Sequence, residues 1–209
     1  MDNIINCEQR TDTWFQARIG RVTASRVVDI CRGKKGSYLA SRKNYMSEKV
    51  IEILTGQTPE GFTSKAMEWG TETEPKARAV YEAETGNIVT EVGFINHPTI
   101  DRLGASPDGM IDGKISLEIK CPNTATYIEF VLKPVIDRRY IYQMNCQMMC
   151  NETEVCHFVM YDPRLPDNMA YTMIEVKKDP VICSEIRTET ELFIMELDAT
   201  IKGLKEKFA

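Results

Sequence analysis

Leu103-Gly104-Ala105-Ser106-Pro107-Asp108-Gly109-Met110-Ile111, followed by Ile115-Ser116-Leu117-Glu118-Ile119-Lys120-Cys121, decides the fold. Short apolar runs of strand length are interrupted by Pro107-Asp108-Gly109 and joined by Asp112-Gly113, a hairpin signal. Side chains alternate along a strand, so Glu118 and Lys120 project from one face while Leu117, Ile119 and Cys121 face the apolar side. Asp108 falls at the end of a preceding strand. Desolvating an acid–lysine pair is costly unless something compensates, and a divalent cation with a phosphate group is a chemically suited compensator. The plainer reading is a turn and an ordinary ion pair. The rest of the chain separates the two.

Working outward, Asp12 to Ile19 predicts a short helix stopped by Gly20, and Thr23-Ala24-Ser25 supplies caps for a second through Val27, Val28 and Ile30, whose exposed amides are suited to a phosphate. A basic loop, Arg32-Gly33-Lys34-Lys35-Gly36, precedes a helix from about Tyr38 to Leu54 ended by Gly56. The stretch from Ser64 to Thr85 predicts a helix kinked or broken near Glu74, because Pro75 removes a backbone donor. Strands follow at Ile88-Val92, Phe94-Ile95 and the opening motif, then helices at 124–132 and 139–150. Strands at Val155-Tyr161 and Tyr171-Val176 lead to an amphipathic helix from about Val181 to Lys207. The expectation is a single α+β domain over residues 1–209, a mixed central sheet flanked by helices.

The formal charge of −5 argues against a protein that coats nucleic acid nonspecifically. It leaves room for a metal-dependent nuclease, whose acidic ligands lower the count. No apolar run approaches the roughly 20 residues that span a bilayer, and Met1 to Arg10 lack a signal-peptide pattern, so a cytoplasmic protein without membrane attachment is expected. The seven cysteines include no C-x-x-C pair. Reduced core thiols are expected, since Cys146, Cys150, Cys156 and His157 match no zinc spacing.

A two-metal phosphodiesterase needs carboxylates to fix cations, a group that orients or deprotonates water, and positive charge for the transition state. Asp108, Glu118 and Lys120 are suited to those tasks, with the Ile119 carbonyl as a further hard ligand and Glu74 as a helix-borne acid for a second ion. Across about residues 12 to 176 the chain resembles the phage lambda exonuclease family, within the PD-(D/E)xK superfamily of restriction-endonuclease-like fold. The resemblance is carried by Trp14, Arg18, Gly20, Thr23-Ala24-Ser25, Trp69-Gly70 with Glu74, Ser106-Pro107-Asp108-Gly109, Leu117-Glu118-Ile119-Lys120-Cys121-Pro122, Gln143 and Tyr161-Asp162-Pro163-Arg164. Together these are specific, where any one is weak.

The resemblance implies a processive 5′-to-3′ exonuclease on double-stranded DNA that releases 5′-mononucleotides and leaves 3′ overhangs for strand annealing. It implies Asp108, Glu118, Ile119 and Glu74 as ligands of two Mg2+ ions, with Mn2+ able to substitute. Lys120 becomes the water-orienting base or electrostatic stabiliser, and Gln143 positions lysine or water. It implies that Arg18, Thr23 and Ser25 hold the terminal 5′-phosphate, that Arg32, Lys34, Lys35 and Lys65 contact DNA, and that the protein is a phage-type homotrimeric ring working with a single-strand annealing protein in the host bacterial cytoplasm. Residue by residue, plainer roles exist: Trp14 as core packing, Gln143 as a surface amide, Arg18 as a solvated helix residue. The competing functions are an endonuclease or repair nuclease on the same fold and a catalytically silent DNA-binding or scaffold protein.

Overall fold

The computed structural model describes residues 3–33, 35–58 and 64–208. Two sheets form. The first joins β1 (Ile4–Ile5), β4 (Phe94–Asn96), β5 (Leu103–Ala105) and β2 (Val22–Thr23) in that order, antiparallel except for β5 with β2. The second runs β3 (Val89–Thr90), β6 (Gly109–Ile111), β7 (Ile115–Lys120), β8 (Val155–Tyr161) and β9 (Tyr171–Lys177). In it only β7 and β8 are parallel, with Glu118 beside Phe158 and Lys120 beside Met160. The α+β arrangement of mixed sheet and flanking helices expected from the sequence forms, but as two sheets rather than a single central one, because Ser106, Pro107 and Asp108 carry the chain from β5 in one sheet to β6 in the other. Pro107 has no amide to continue a ladder, and pairing resumes at Asp108, whose N–H donates to Leu117 O at 3.0 Å.

The helices are α1 (Asp12–Arg18), α2 (Val27–Ile30), α3 (Ala40–Thr55), α4 (Lys65–Thr85), α5 (Thr124–Leu132), α6 (Arg138–Cys150) and α7 (Pro180–Lys207). Gly56 and Gly86 close α3 and α4 at φ 69° and 71°, left-handed caps open to glycine. The break expected at Pro75 is absent: α4 runs unbroken through it. Proline's φ suits a helix, and Thr73, Ala77 and Tyr81 anchor the same stretch in the core, offsetting the lost bond. The second helix does not begin at Thr23 either. Thr23 belongs to β2 and forms no side-chain cap; a 3-10 turn over Ala24–Arg26 leads into α2, which has only four residues.

These elements sandwich β7. On one face Leu117 and Ile119 pack with Ala77 and Tyr81 of α4 and with Val159. On the other, α5 and α6 bring Tyr127, Phe130, Met144 and Met148 against Phe158 and Met160. A third cluster joins the first sheet to α2, α3, α6 and α7 through Val22, Ile30, Tyr45, Leu103, Cys146 and Phe193. Each such side chain, fully buried, contributes about 1.5–3 kcal/mol. All seven cysteines are free, and Cys156 and His157 point to opposite faces of β8, where His157 Nδ1 meets the Tyr81 hydroxyl at 2.7 Å. No helix among the described residues is long and apolar enough to cross a membrane.

Candidate active site

Alternation along β7 puts Glu118 on the α6 side, fully buried. Its carboxylate is held by three donors. Gln143 Nε2 donates to Oε1 at 2.7 Å and Gln147 Nε2 to Oε2 at 2.5 Å, while Lys120 forms an ion pair with Oε1. A carboxylate offers about four acceptor positions, so one is left. Gln147 is absent from the sequence-based site, yet it follows Gln143 by four residues and shares its helix face. Its own Oε1 is buried without a partner among the described residues.

Asp108 sits where the chain enters β6. Its Oδ2 accepts the Ile119 N–H at 2.6 Å, which fixes it against the strand carrying Glu118 and Lys120. A side chain on Gly109 would run into Val89 Cγ1, so the residue after this acid has to be glycine for β3 to pair. Desolvation and then the Glu118 charge push the Asp108 carboxyl well above its usual range, with Glu74 adding to the rise and Lys120 and the Ile119 amide opposing it. Burial alone lowers Lys120, but Glu118 and Asp108 outweigh it and hold the ammonium above its usual value. Lys120 is therefore a fixed positive charge in this arrangement, and its Nζ lies 5.0 Å from the centroid of the Tyr140 ring. Glu74, on α4, reaches the same neighbourhood: burial, then Glu74 and Asp108, push the Cys121 thiol up to about 12. Glu74 itself is paired with Arg10 and Arg78.

The donor set suits a hard cation: three carboxylates that repel one another and a backbone carbonyl. Among the described residues, though, no three acidic, histidine or cysteine groups are already gathered to enclose an ion. Asp108 is turned to the Ile119 amide and Glu74 to two guanidinium groups.

Arg164 braces the frame. It donates to both oxygens of buried Asp162, to Pro122 O at 2.9 Å, and covers the Trp69 ring at 4.3 Å. The Tyr161-to-Arg164 segment thus ties β8, the exit of β7 and α4 together, which is more than a turn.

Arg18 stacks on Trp14 at 3.9 Å, and Trp14 Nε1 donates to Ser106 Oγ at 2.8 Å, two residues ahead of Asp108. Among the described residues its guanidinium has no hydrogen-bond or ion-pair partner; desolvation lowers its pKa against the pull of Tyr45 and Glu52. An arginine stays charged at any such shift, so the consequence is an unmet demand for an anion. Thr23 is buried and its amide is taken by the Tyr45 hydroxyl at 3.1 Å, whereas Ser25 is exposed. The Thr23 amide is therefore already taken, while Ser25 stands at the surface.

Of the basic residues, Lys35 and Lys65 are exposed, and Lys34 lies outside the described residues. Arg32 is engaged with Glu189 at 3.1 Å and with Gly36 O and the Tyr38 hydroxyl, so it ties its loop to α7.

The YqaJ-like viral recombinase domain matches residues 13–154. The chain belongs to that family. Among solved structures, this YqaJ-like chain is 49% identical to an alkaline exonuclease, LHK-Exo, from Laribacter hongkongensis, with TM-score 0.88 and 94% of this chain and 97% of that one covered. The structure of LHK-Exo in complex with dAMP matches at 48% identity and TM-score 0.88, over 94% of this chain and 97% of that one. A phage-related exonuclease from Haemophilus somnus 129PT shares the fold, at TM-score 0.69 and 14% identity over 88% of this chain and 96% of that one. Comparison with curated proteins found no match. With such relatives the YqaJ-like chain is a nuclease, a phosphodiester-cleaving enzyme.

Proposed function

We propose that this YqaJ-like nuclease digests one strand of duplex DNA from a 5′-phosphorylated end, releasing 5′-mononucleotides and leaving a 3′ single strand for annealing. The observation that carries this is the Arg18 guanidinium, without a hydrogen-bond or ion-pair partner among the described residues and tied through Trp14 and Ser106 to the chain entering Asp108. Arg18 is thereby fixed to the segment that leads into Asp108, so one stretch of chain would position both the held phosphate and that acid. LHK-Exo bound to dAMP, a mononucleotide, supports the product.

Asp108, Glu118, the Ile119 carbonyl and Glu74 would hold two Mg2+ ions, which when bound supply an activated water and neutralise developing charge. The chain's own groups do the rest. Gln143 and Gln147 keep Glu118 aimed, Lys120 stabilises negative charge on the scissile phosphate, and Arg18, with Ser25, holds the end. We take the working protein to be one domain in a homotrimeric ring in the cytoplasm of the host bacterium, partnered by a single-strand annealing protein. A ring keeps a chain of net charge −5 on DNA by enclosure rather than by electrostatic grip.

The test is digestion of end-labelled linear duplex with and without Mg2+, comparing 5′-phosphate with 5′-hydroxyl ends. Mononucleotides released from the phosphorylated end are expected, with Mn2+ active, Ca2+ inert and chelator fully inhibitory. Preferential loss of 3′ label overturns the polarity. Cleavage of a covalently closed circle makes the enzyme an endonuclease, and DNA binding with no cleavage of any substrate makes it a silent scaffold.

A further inference from the structure

Glu74 is a candidate ligand whose two oxygens are both already paired with cations. Oε2 accepts from Arg10 Nη2 at 2.9 Å, and Oε1 accepts from Arg78 Nη2 at 3.4 Å. The two arginines differ in kind. Arg78 lies one turn along α4, is 14% exposed and is itself held by Glu91, so it is a fixed part of the helix. Arg10 arrives from 64 residues away on the loop before α1, is 47% exposed, and has Glu74 as its one ion-pair partner among the described residues.

That loop is held against the site. Gln9 Nε2 donates to Val92 O and to Pro107 O, each at 2.9 Å, which pins residue 9 beside the chain entering Asp108. Arg10 then takes φ 69°, a left-handed conformation that a non-glycine residue keeps only when its surroundings enforce it. Turned this way, a long side chain with a solvent-reached end spans to Glu74. A guanidinium is weakly hydrated and needs no fixed coordination shell, so it pairs with the Glu74 charge without closing the site.

The geometry points to Arg10 as a built-in counter-ion that occupies Glu74 and is displaced when a divalent cation binds there. This rests on the two-metal reading above. An ordinary positioning residue strengthens metal binding; a counter-ion that must leave weakens it. Arg78 is the positioning group and Arg10 the competitor.

The experiment is calorimetric titration of the full-length protein with Mn2+ in the absence of DNA, paired with thermal melting in chelator and in saturating Mn2+. Arg10→Gln should bind Mn2+ about two- to fivefold more tightly at the weaker site, the scale of a partly exposed ion pair. It should melt below the native protein in chelator, where Glu74 is left with Arg78 alone, and the gap should close in Mn2+. Arg10→Lys should bind Mn2+ with an affinity between the two. Unchanged or weaker Mn2+ binding by a folded Arg10→Gln overturns the proposal. Asp108→Asn separates the failures: if it abolishes binding while Arg10→Gln changes nothing, only the counter-ion role falls. If Asp108→Asn also binds Mn2+ as the native protein does, the metal reading falls and takes the counter-ion with it.

Discussion

Replacing Gln147 with leucine asks whether Glu118 needs its second amide. Gln147 is fully buried and donates to Glu118 Oε2 at 2.5 Å, while its own Oε1 lacks a partner among the described residues. Losing a hydrogen bond to a charged group costs about 1.5–3 kcal/mol, and removing an unsatisfied buried carbonyl returns about 1–3 kcal/mol. The two terms nearly cancel in stability, and a residual of about 1 kcal/mol shifts Tm by only about 2–4 °C in a chain of this size. They do not cancel in catalysis. Gln143 and Lys120 both sit on Oε1, so Oε2 loses its one hydrogen-bond partner among the described residues. The expected result is a fall of about tenfold in kcat, equivalent to about 1.4 kcal/mol, with KM for DNA little changed and the Mg2+ requirement raised. Steady-state digestion of 5′-phosphorylated duplex over a Mg2+ series, with melting curves alongside, measures both. A stable leucine variant with native kcat and native Mg2+ dependence refutes the claim that this amide aims Glu118.

Lys120→Ala should lower turnover by about 100- to 1,000-fold while DNA binding, read by gel shift in Ca2+, stays near native, because its charge acts on the transition state. Arg18→Ala should shrink the preference for 5′-phosphate over 5′-hydroxyl ends and shorten run length with Mn2+ affinity unchanged; a full preference in that variant removes the phosphate pocket. Asp108→Asn should raise the melting temperature of the metal-free protein at neutral pH. The sign follows from a carboxyl whose folded-state pKa is raised: the penalty is absent below the usual value of 3.8 and grows as pH rises through the folded value. The melting advantage of Asp108→Asn should therefore vanish in acid.

Much of this was legible where one signal dominated. The period-two pattern of β7 places Glu118 and Lys120 together, and Gly56 and Gly86 end their helices as written. Two-residue strands such as β1 and β2 carry no period to detect, and the division into two sheets depends on how three residues at Pro107 turn in space. At the site, Gln147 and Arg78 were within reach, being one turn from Gln143 and Glu74. Arg10 was not, because its partner lies 64 positions away and no spacing rule links them. The basic loop shows a further gap: a run of cations in sequence says nothing of Glu189, which engages Arg32.

Helix α6 is buried on nearly every side from Met144 to Cys150: Cys146 and Cys150 enter one core, Met144 and Met148 another, and Gln143 and Gln147 face Glu118. A helix enclosed in this way opens only when the whole fold opens. Its amide protons are thus expected among the slowest to exchange with deuterated solvent, while the two-residue strands at the sheet edges exchange early. The restraint on Glu118 accordingly outlasts fraying of the periphery, and warming should erode DNA-end capture near α1 before it disturbs the aim of the buried carboxylate.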